Sequence, residues 1–275
     1  LSIDQVRAIL ETRDGMLWIG TESGGLNRLD PHTRTFTAMR NDPRDSTTLS
    51  NDRVYALYED AGGSLWVGTS DGLNRMDRAS GSFVRFTEKS GLTSSYIRGI
   101  SGDADGNLWL NTTRGLTRFH IGDGTVHTYD ASDGLQGNDL SGAIYRNRAG
   151  ELVVGGNNGF NALDPREIVD DPRGPSVVLT SFTIFDKPAL LGRPISAIET
   201  IHLAYSENFF SFGFASLDYT NPAKQVYAFL LDGFDREWVR AGTRRFAYYT
   251  NVGPGEYVFR VKGANADGIW GERAT

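Results

Sequence analysis

Short runs in which apolar and polar positions alternate, each bounded by a polar, glycine-rich turn, follow one another through most of this chain. One stretch shows the scheme. Val54 to Tyr58 is β-branched and aromatic, Asp60 to Ser64 is polar, and Leu65 to Thr69 is apolar again. Ser70-Asp71-Gly72 is a turn, Leu73 to Met76 a further run, and Phe83 to Phe86 an alternating one. The pattern predicts four short strands joined by tight turns.

That unit recurs. Asp14-Gly15-Met16-Leu17-Trp18-Ile19-Gly20-Thr21 returns as Gly62 to Thr69 around Trp66 and as Asp105 to Thr112 around Trp109. It returns weakly as Ala149 to Gly156, with Val153 in the tryptophan's place, so the register steps by 48, 43 and 44 residues. A second phrase follows each: Gly25-Leu26-Asn27-Arg28-Leu29-Asp30, then Gly72 to Asp77, Gly115 to His120 and Gly159 to Asp164. Four strands per period of this length predict an all-β array of β-propeller blades. The blades run approximately 1–48, 49–91, 92–134 and 135–169. A blade cannot bury both of its faces alone, so Trp18, Trp66 and Trp109 are expected to pack between neighbours. Asp103-Ala104-Asp105-Gly106-Asn107 has the look of a calcium loop. The equivalent turns Asp60 to Ser64 and Asn147 to Glu151 lack the carboxylate pair, so a structural hairpin is the reading.

The repeat stops after Asp164-Pro165, and residues 170–176 have linker composition. New strands are predicted at Val177–Phe185, Thr200–Leu203, Phe209–Ser216, Gln225–Asp232, Arg244–Thr250 and Glu256–Gly263. With no helical periodicity among them, residues 177–275 read as an immunoglobulin- or fibronectin III-like β-sandwich. Val252-Gly253-Pro254-Gly255-Glu256-Tyr257 is a Pro-Gly corner feeding a strand, and Tyr257 is expected to bond back to backbone as a tyrosine corner.

These phrases resemble known modules. The repeats look like the regulator-propeller repeats of two-component sensors. Glu207 to Phe209, Leu217 to Tyr219, Tyr227 to Asp235, Trp238, Tyr249 to Asn251 and Gly253 to Tyr257 resemble the triple-tyrosine domain that follows such propellers. Tyr227, Tyr249 and Tyr257 match its name, and with Trp238 they are assigned structural roles. The resemblance implies a periplasmic location, as the soluble part of an inner-membrane protein. It also implies a following transmembrane segment and a histidine kinase or diguanylate cyclase. Since rings of seven blades are usual there, the four repeats are read as part of a larger seven-bladed ring, and the sandwich as C-terminally incomplete. An uncovered blade face would be a large apolar patch, so self-association is expected, as a homodimer or as completion of an open propeller.

The net charge of −6 argues against nucleic acid, whose recognition needs a basic face. The absence of cysteine removes disulfides, thiolate metal sites and a cysteine nucleophile. No apolar run reaches the length of a membrane-spanning helix, so contact with a membrane would come only through segments outside this sequence. Of the histidines, His120 and His127 flank a polar turn, but two imidazoles are a poor zinc set. Gly155 to Gly159 is glycine-rich yet stands where the other repeats have a strand-to-strand turn, so no phosphate cradle is expected. Neither catalytic residues nor a metal or cofactor are expected.

Two sets of loops are predicted to share one end of the blades. Their scaffold-free positions are Gln5, Arg53, Tyr96 and Asp139 before each first strand, and Ser23, Asp71, Arg114 and Asn158 at the second turn. Arg53, Asp71, Tyr96, Arg114, Asp139 and Asn158 are the candidate ligand-binding residues. Guanidinium, aromatic, carboxylate and amide groups on one rim suit a sugar or another small polar signal. The leading functional expectation is a ligand-sensing ectodomain, with the sandwich passing the change to the membrane. A non-catalytic cell-envelope scaffold of the same modules is the alternative, and a propeller hydrolase or lyase a third.

Overall fold

Each of the first three repeats folds into one four-stranded antiparallel sheet, with its strands in sequence order. In the computed structural model these are β1 (Val6–Glu11), β2 (Leu17–Thr21), β3 (Leu26–Asp30) and β4 (Thr35–Met39), then β5 (Val54–Glu59), β6 (Leu65–Thr69), β7 (Gly72–Met76) and β8 (Phe83–Phe86). The third sheet holds β9 (Ile97–Gly102), β10 (Asn107–Thr112), β11 (Gly115–His120) and β12 (Val126–Tyr129). The fourth, where the repeat fades, has three strands: β13 (Leu140–Arg146), β14 (Leu152–Gly156) and β15 (Gly159–Leu163). Residues 1–168 and 172–272 are described, in two units, Leu1–Ile168 and Val169–Thr275. Of the linker read from the sequence, positions 170 and 171 lie outside the described residues, and 172–176 form no regular element.

The blades meet through their first strands, β1 on β5, β5 on β9 and β9 on β13, and each second strand also touches the next blade's first strand. Sheets joined in this way fan outward from their first strands. The tryptophans lie in the seams. Trp18 is buried with Leu49, Val54 and Leu65 of the second blade, Trp66 with Ile97, Leu108 and Phe119 of the third, and Trp109 with Leu140, Leu152 and Val154 of the fourth.

Two small features of the repeat set how close the blades come. A Cβ on Gly20 would stand 2.6 Å from the Val54 Cγ1 atom, and one on Gly68 would stand 2.8 Å from the Ile97 Cγ2 atom. The glycine of the Trp-x-Gly-Thr phrase therefore seats the branched residue that opens the next blade. In the third blade its place is taken by Asn111, which is buried and donates its amide to the Ser141 and Ala143 carbonyls, at 2.9 and 3.0 Å. There β13 bulges between Leu140 and Ile144.

The second feature lies in the turns before each tryptophan, among them the Asp103 turn with the look of a calcium loop. Asp60 accepts the Trp66 indole N–H at 2.7 Å and the Ser64 amide at 2.9 Å. Asp103 likewise takes the Trp109 indole at 2.8 Å and the Asn107 amide at 2.9 Å. Thr12 stands six residues before Trp18 and accepts its indole at 3.2 Å. The turn thus ties its own tryptophan to the blade. Burial pushes the Asp103 carboxyl up, but the Asn107 N–H and the Trp109 indole outweigh it and hold the group below its usual value.

The second unit has two sheets. One orders β17 (Lys187–Pro188), β16 (Val177–Ile184), β18 (Phe209–Ser216) and β21 (Phe246–Thr250), and the other β20 (Val239–Gly242), β19 (Val226–Asp232) and β22 (Val258–Ala264). Phe182, Phe210, Phe212, Phe214, Phe229 and Tyr249 fill the core, and Phe259 of one sheet stacks on Phe212 of the other at 4.0 Å. The strand expected at Thr200–Leu203 is absent. Ile201 and Leu203 pack against the core from an extended segment that joins no ladder, so their alternation reports burial alone. The short edge strands β17 and β20 were not legible, since two to four residues carry no periodicity.

The three tyrosines differ in use. Tyr227 is buried, donates to the Gln225 Oε1 atom at 3.2 Å and accepts the Ser216 amide at 3.1 Å. Tyr249 donates to the Asp235 carboxylate at 2.8 Å, and that oxygen also accepts the Leu231 amide. Burial and then this carboxylate push the Tyr249 phenol far up. Tyr257 donates to the Gly253 carbonyl four residues upstream at 3.2 Å, the bond of a tyrosine corner. Trp238 is half-buried under the Lys262 ammonium, 4.5 Å from its ring.

Candidate functional site

Alternation along the first strands decides which side chains leave the core. Val54, Ile97 and Leu140 are fully buried, so their neighbours on either side in sequence point the other way. That places Arg53 with Tyr55, Tyr96 with Arg98, and Asp139 with Ser141 on the opposite face, as it does Gln5 with Arg7 in the first blade. The second turns lie beside them: the Glu22 amide donates to the Gln5 carbonyl and the Ser70 amide to the Arg53 carbonyl, at 3.0 and 3.2 Å. The two loop sets predicted to share one end do so.

The side chains on this face form a chain of contacts across all four blades. Arg7 of the first blade bonds Glu22 at 2.7 Å, and Arg53 of the second approaches the other oxygen of Glu22 at 3.8 Å. Tyr96 of the third blade donates its hydroxyl to that of Tyr55 at 2.9 Å, their ring centres 5.2 Å apart. The Arg98 guanidinium lies 5.1 Å from the Tyr96 ring centre and bonds Asp139 at 2.7 Å and the Leu140 carbonyl at 2.9 Å. Asp139 takes the Asn157 amide on its second oxygen at 2.9 Å. Burial first, then the Tyr96 hydroxyl, pushes the Tyr55 phenol up to about 12, so the Tyr55 ring is a neutral hydrogen-bonding group at physiological pH. The bond to Glu22 holds the Arg7 guanidinium more firmly protonated still.

Of the six candidate residues, this row holds Arg53, Tyr96 and Asp139. The other three are engaged elsewhere or stand apart. Arg114 donates to the Thr93 carbonyl at 2.9 Å and sits 3.7 Å from Glu88, in the connection between blades. Asn158 is tied to Gln136 of its own blade through its backbone and side-chain amides. The Asp71 amide bonds Thr69, and its exposed side chain joins none of the pairs in the row. Sequence reasoning missed Arg7, Glu22, Tyr55, Arg98 and Asn157. A signal existed, because the second position of the first strand reads Arg7, Tyr55, Arg98 and Ser141 while the position before it, buried in all but the first blade, stays branched and apolar.

A further repeat signature also went unread. Ser50, four residues before the second blade's first strand, donates its amide to Asn74 at 2.9 Å, and Ser2 does the same to Asn27 at 3.0 Å. In the fourth blade the Gln136 amide bonds Asn161 at 2.8 Å. This brace holds the loop that presents the row.

His120 and His127 lie on the paired strands β11 and β12, and the His120 ring bonds Asp123 at 2.8 Å. Among the described residues no three His, Cys, Asp or Glu side chains are gathered as a metal site would need. No helix among them is long and apolar enough to cross a membrane.

Residues 1–23, 48–71 and 91–114 match the Two component regulator propeller family, and residues 218–275 match the Y_Y_Y domain family. A histidine kinase of Formosa agariphila is 32% identical over 157 residues, which are 53% of this chain and 11% of that protein. The extracellular domain of a protein described as a hybrid two-component system from B. thetaiotaomicron superposes along 100% of this chain and 38% of its own, with a TM-score of 0.86 and 27% identity. A second such extracellular domain from B. thetaiotaomicron, described as part of a one-component system, is 22% identical with a TM-score of 0.50, and covers 100% of this chain and 49% of its own. This chain thus spans less than half the length of each of these relatives. Its repeats and its sandwich match in the order in which they occur, and the chain is built of two-component regulator propeller repeats followed by a Y_Y_Y domain.

Proposed function

We propose that this chain is the ligand-sensing, periplasmic part of a membrane-bound two-component sensor, with a histidine kinase or diguanylate cyclase as output. A glycan or another small polar signal binds the row from Arg7 to Asn157, and the sandwich transmits the change. The observation that carries this reading is the likeness, along the whole chain, to the extracellular domain of a hybrid two-component system. The 32% identical histidine kinase supports the same output. The row adds the chemistry: two phenols, three guanidinium groups and two carboxylates, on the starts of the first strands and the turns beside them. In this reading the chain's task is binding rather than catalysis.

Binding transmits a signal only if two states of the receptor differ in affinity for the ligand. The sandwich, whose resources are packing and hydrogen bonds, would pass on a change in orientation between paired receptors. Thermal-shift screening of the purified protein against oligosaccharides and small metabolites tests the reading. Stabilisation that is lost on replacing Tyr96 or Asp139 by alanine is expected. If no compound raises the melting temperature, or if one does so equally in both variants, the site is wrong.

A further inference from the structure

Arg53, in the row, is held very differently from the cations at the other end of the first strands. At the end away from the row, Arg13 donates to the Asp60 and Ala61 carbonyls at 2.6 and 3.0 Å, and Arg78 bonds Asp14 at 2.9 Å and Glu59 at 2.8 Å. Those guanidinium groups are engaged on two partners each, and they clamp the first blade to the second.

In the row, two guanidinium groups share one carboxylate. Glu22 gives Arg7 a hydrogen bond at 2.7 Å, whereas Arg53 reaches it only through a 3.8 Å approach of its Nε atom. The Arg53 side chain is 57% exposed, so that ion pair is screened and weak. Arg53 thus keeps a planar fork of donors open to solvent, two residues before Tyr55, whose hydroxyl accepts that of Tyr96. Nor does the scaffold require a cation there, because the equivalent positions hold Gln5, Tyr96 and Asp139. With three arginines against Glu22 and Asp139, the row carries a positive excess on a chain of net charge −6.

We infer that the ligand of this row bears an anionic group, a carboxylate or a sulfate ester on a small saccharide, and that Arg53 receives it. A planar or tetrahedral oxyanion matches the guanidinium fork with two parallel charge-assisted bonds. Tyr55 and Tyr96 offer their paired hydroxyls on the same face. The inference rests on the binding role proposed above and adds the charge of what is bound.

Calorimetric titration of the purified protein with tetragalacturonate and with a neutral galactose tetrasaccharide tests it. The acidic saccharide is expected to bind at least tenfold more tightly, an advantage that shrinks as sodium chloride is raised. Arg53→Gln is expected to abolish the advantage by bringing the acidic saccharide's affinity down to that of the neutral one. Arg13→Gln, at the clamped end, should leave the tenfold ratio intact. Because Arg53 is exposed and barely paired, its variant is expected to melt with the parent protein, which separates lost binding from lost folding. Equal affinity for the two saccharides, or an advantage that survives Arg53→Gln, overturns the anionic inference and leaves the sensing role standing. Binding of neither saccharide overturns the inference, while the sensing role is judged by its own screen.

Discussion

At the scale of single residues, the buried indoles decide what the turns must contain. A tryptophan wedged between blades gains from burial but carries an N–H that has to be satisfied. Asp60 supplies the acceptor for Trp66 while its other oxygen fixes the turn. Asp60→Ala should therefore cost about 1–3 kcal/mol, as a buried donor is orphaned. Asp60→Asn, which keeps one of the two bonds, should cost less, and urea unfolding of both variants gives the comparison. Acid acts on a different carboxylate. The Thr125 N–H first, then the His120 ring and the Thr125 hydroxyl, hold the Asp123 carboxyl down to about 2. Its folded value lies below the unfolded one, so its contribution is present above about pH 4 and disappears as pH falls toward 2. Denaturant melts between pH 5 and 2 should show a shallower acid loss for Asp123→Asn than for the parent chain.

At the scale of elements, the seams between blades rest on absent side chains as much as on large ones. Gly68 leaves a hollow that Ile97 of β9 occupies, with no space for a Cβ. Gly68→Val must push β9 outward or force Ile97 off its rotamer, and should destabilise by about 1–3 kcal/mol. Gly137→Ala is the control, because a Cβ there meets nothing within 4 Å. It should leave the denaturation midpoint close to that of the parent. The third seam reaches closure by another route, with Asn111 reaching into the bulged β13 where the others have glycine. The same repeat thus accommodates a side chain at this seam, where Asn111 bonds the carbonyls of the bulged segment.

At the scale of the whole molecule, the terminal blades matter most. The face on which Trp66 meets the third blade corresponds in the fourth blade to Tyr145, Val153, Phe160 and Ala162. Tyr145 is 64% exposed and Phe160 69%. On the first blade Ile9 is 64% exposed. Apolar surface of this kind favours covering by another sheet. The protein is expected to associate at micromolar concentration in sedimentation equilibrium, and Tyr145→Glu with Phe160→Glu should shift it toward monomer. A monomer at all concentrations in the parent protein would refute this.

What could be read in the amino-acid order was whatever is local. The period of two and the turn glycines located β5 to β8 nearly to the residue, and the recurring phrase placed Trp18, Trp66 and Trp109 in seams before any seam was seen. The Pro-Gly corner before Tyr257 pointed to its bond back to Gly253. What could not be read was contact between blades. Tyr55 and Tyr96 lie 41 residues apart, and they meet only because β5 and β9 run side by side at a particular tilt. Arg98 finds Asp139, and Glu22 draws in Arg7 and Arg53, for the same reason. The alternation along a strand says which side chains turn away from the core. Which of them meet across a seam depends on the angle between sheets, and that angle is set by packing in the seam.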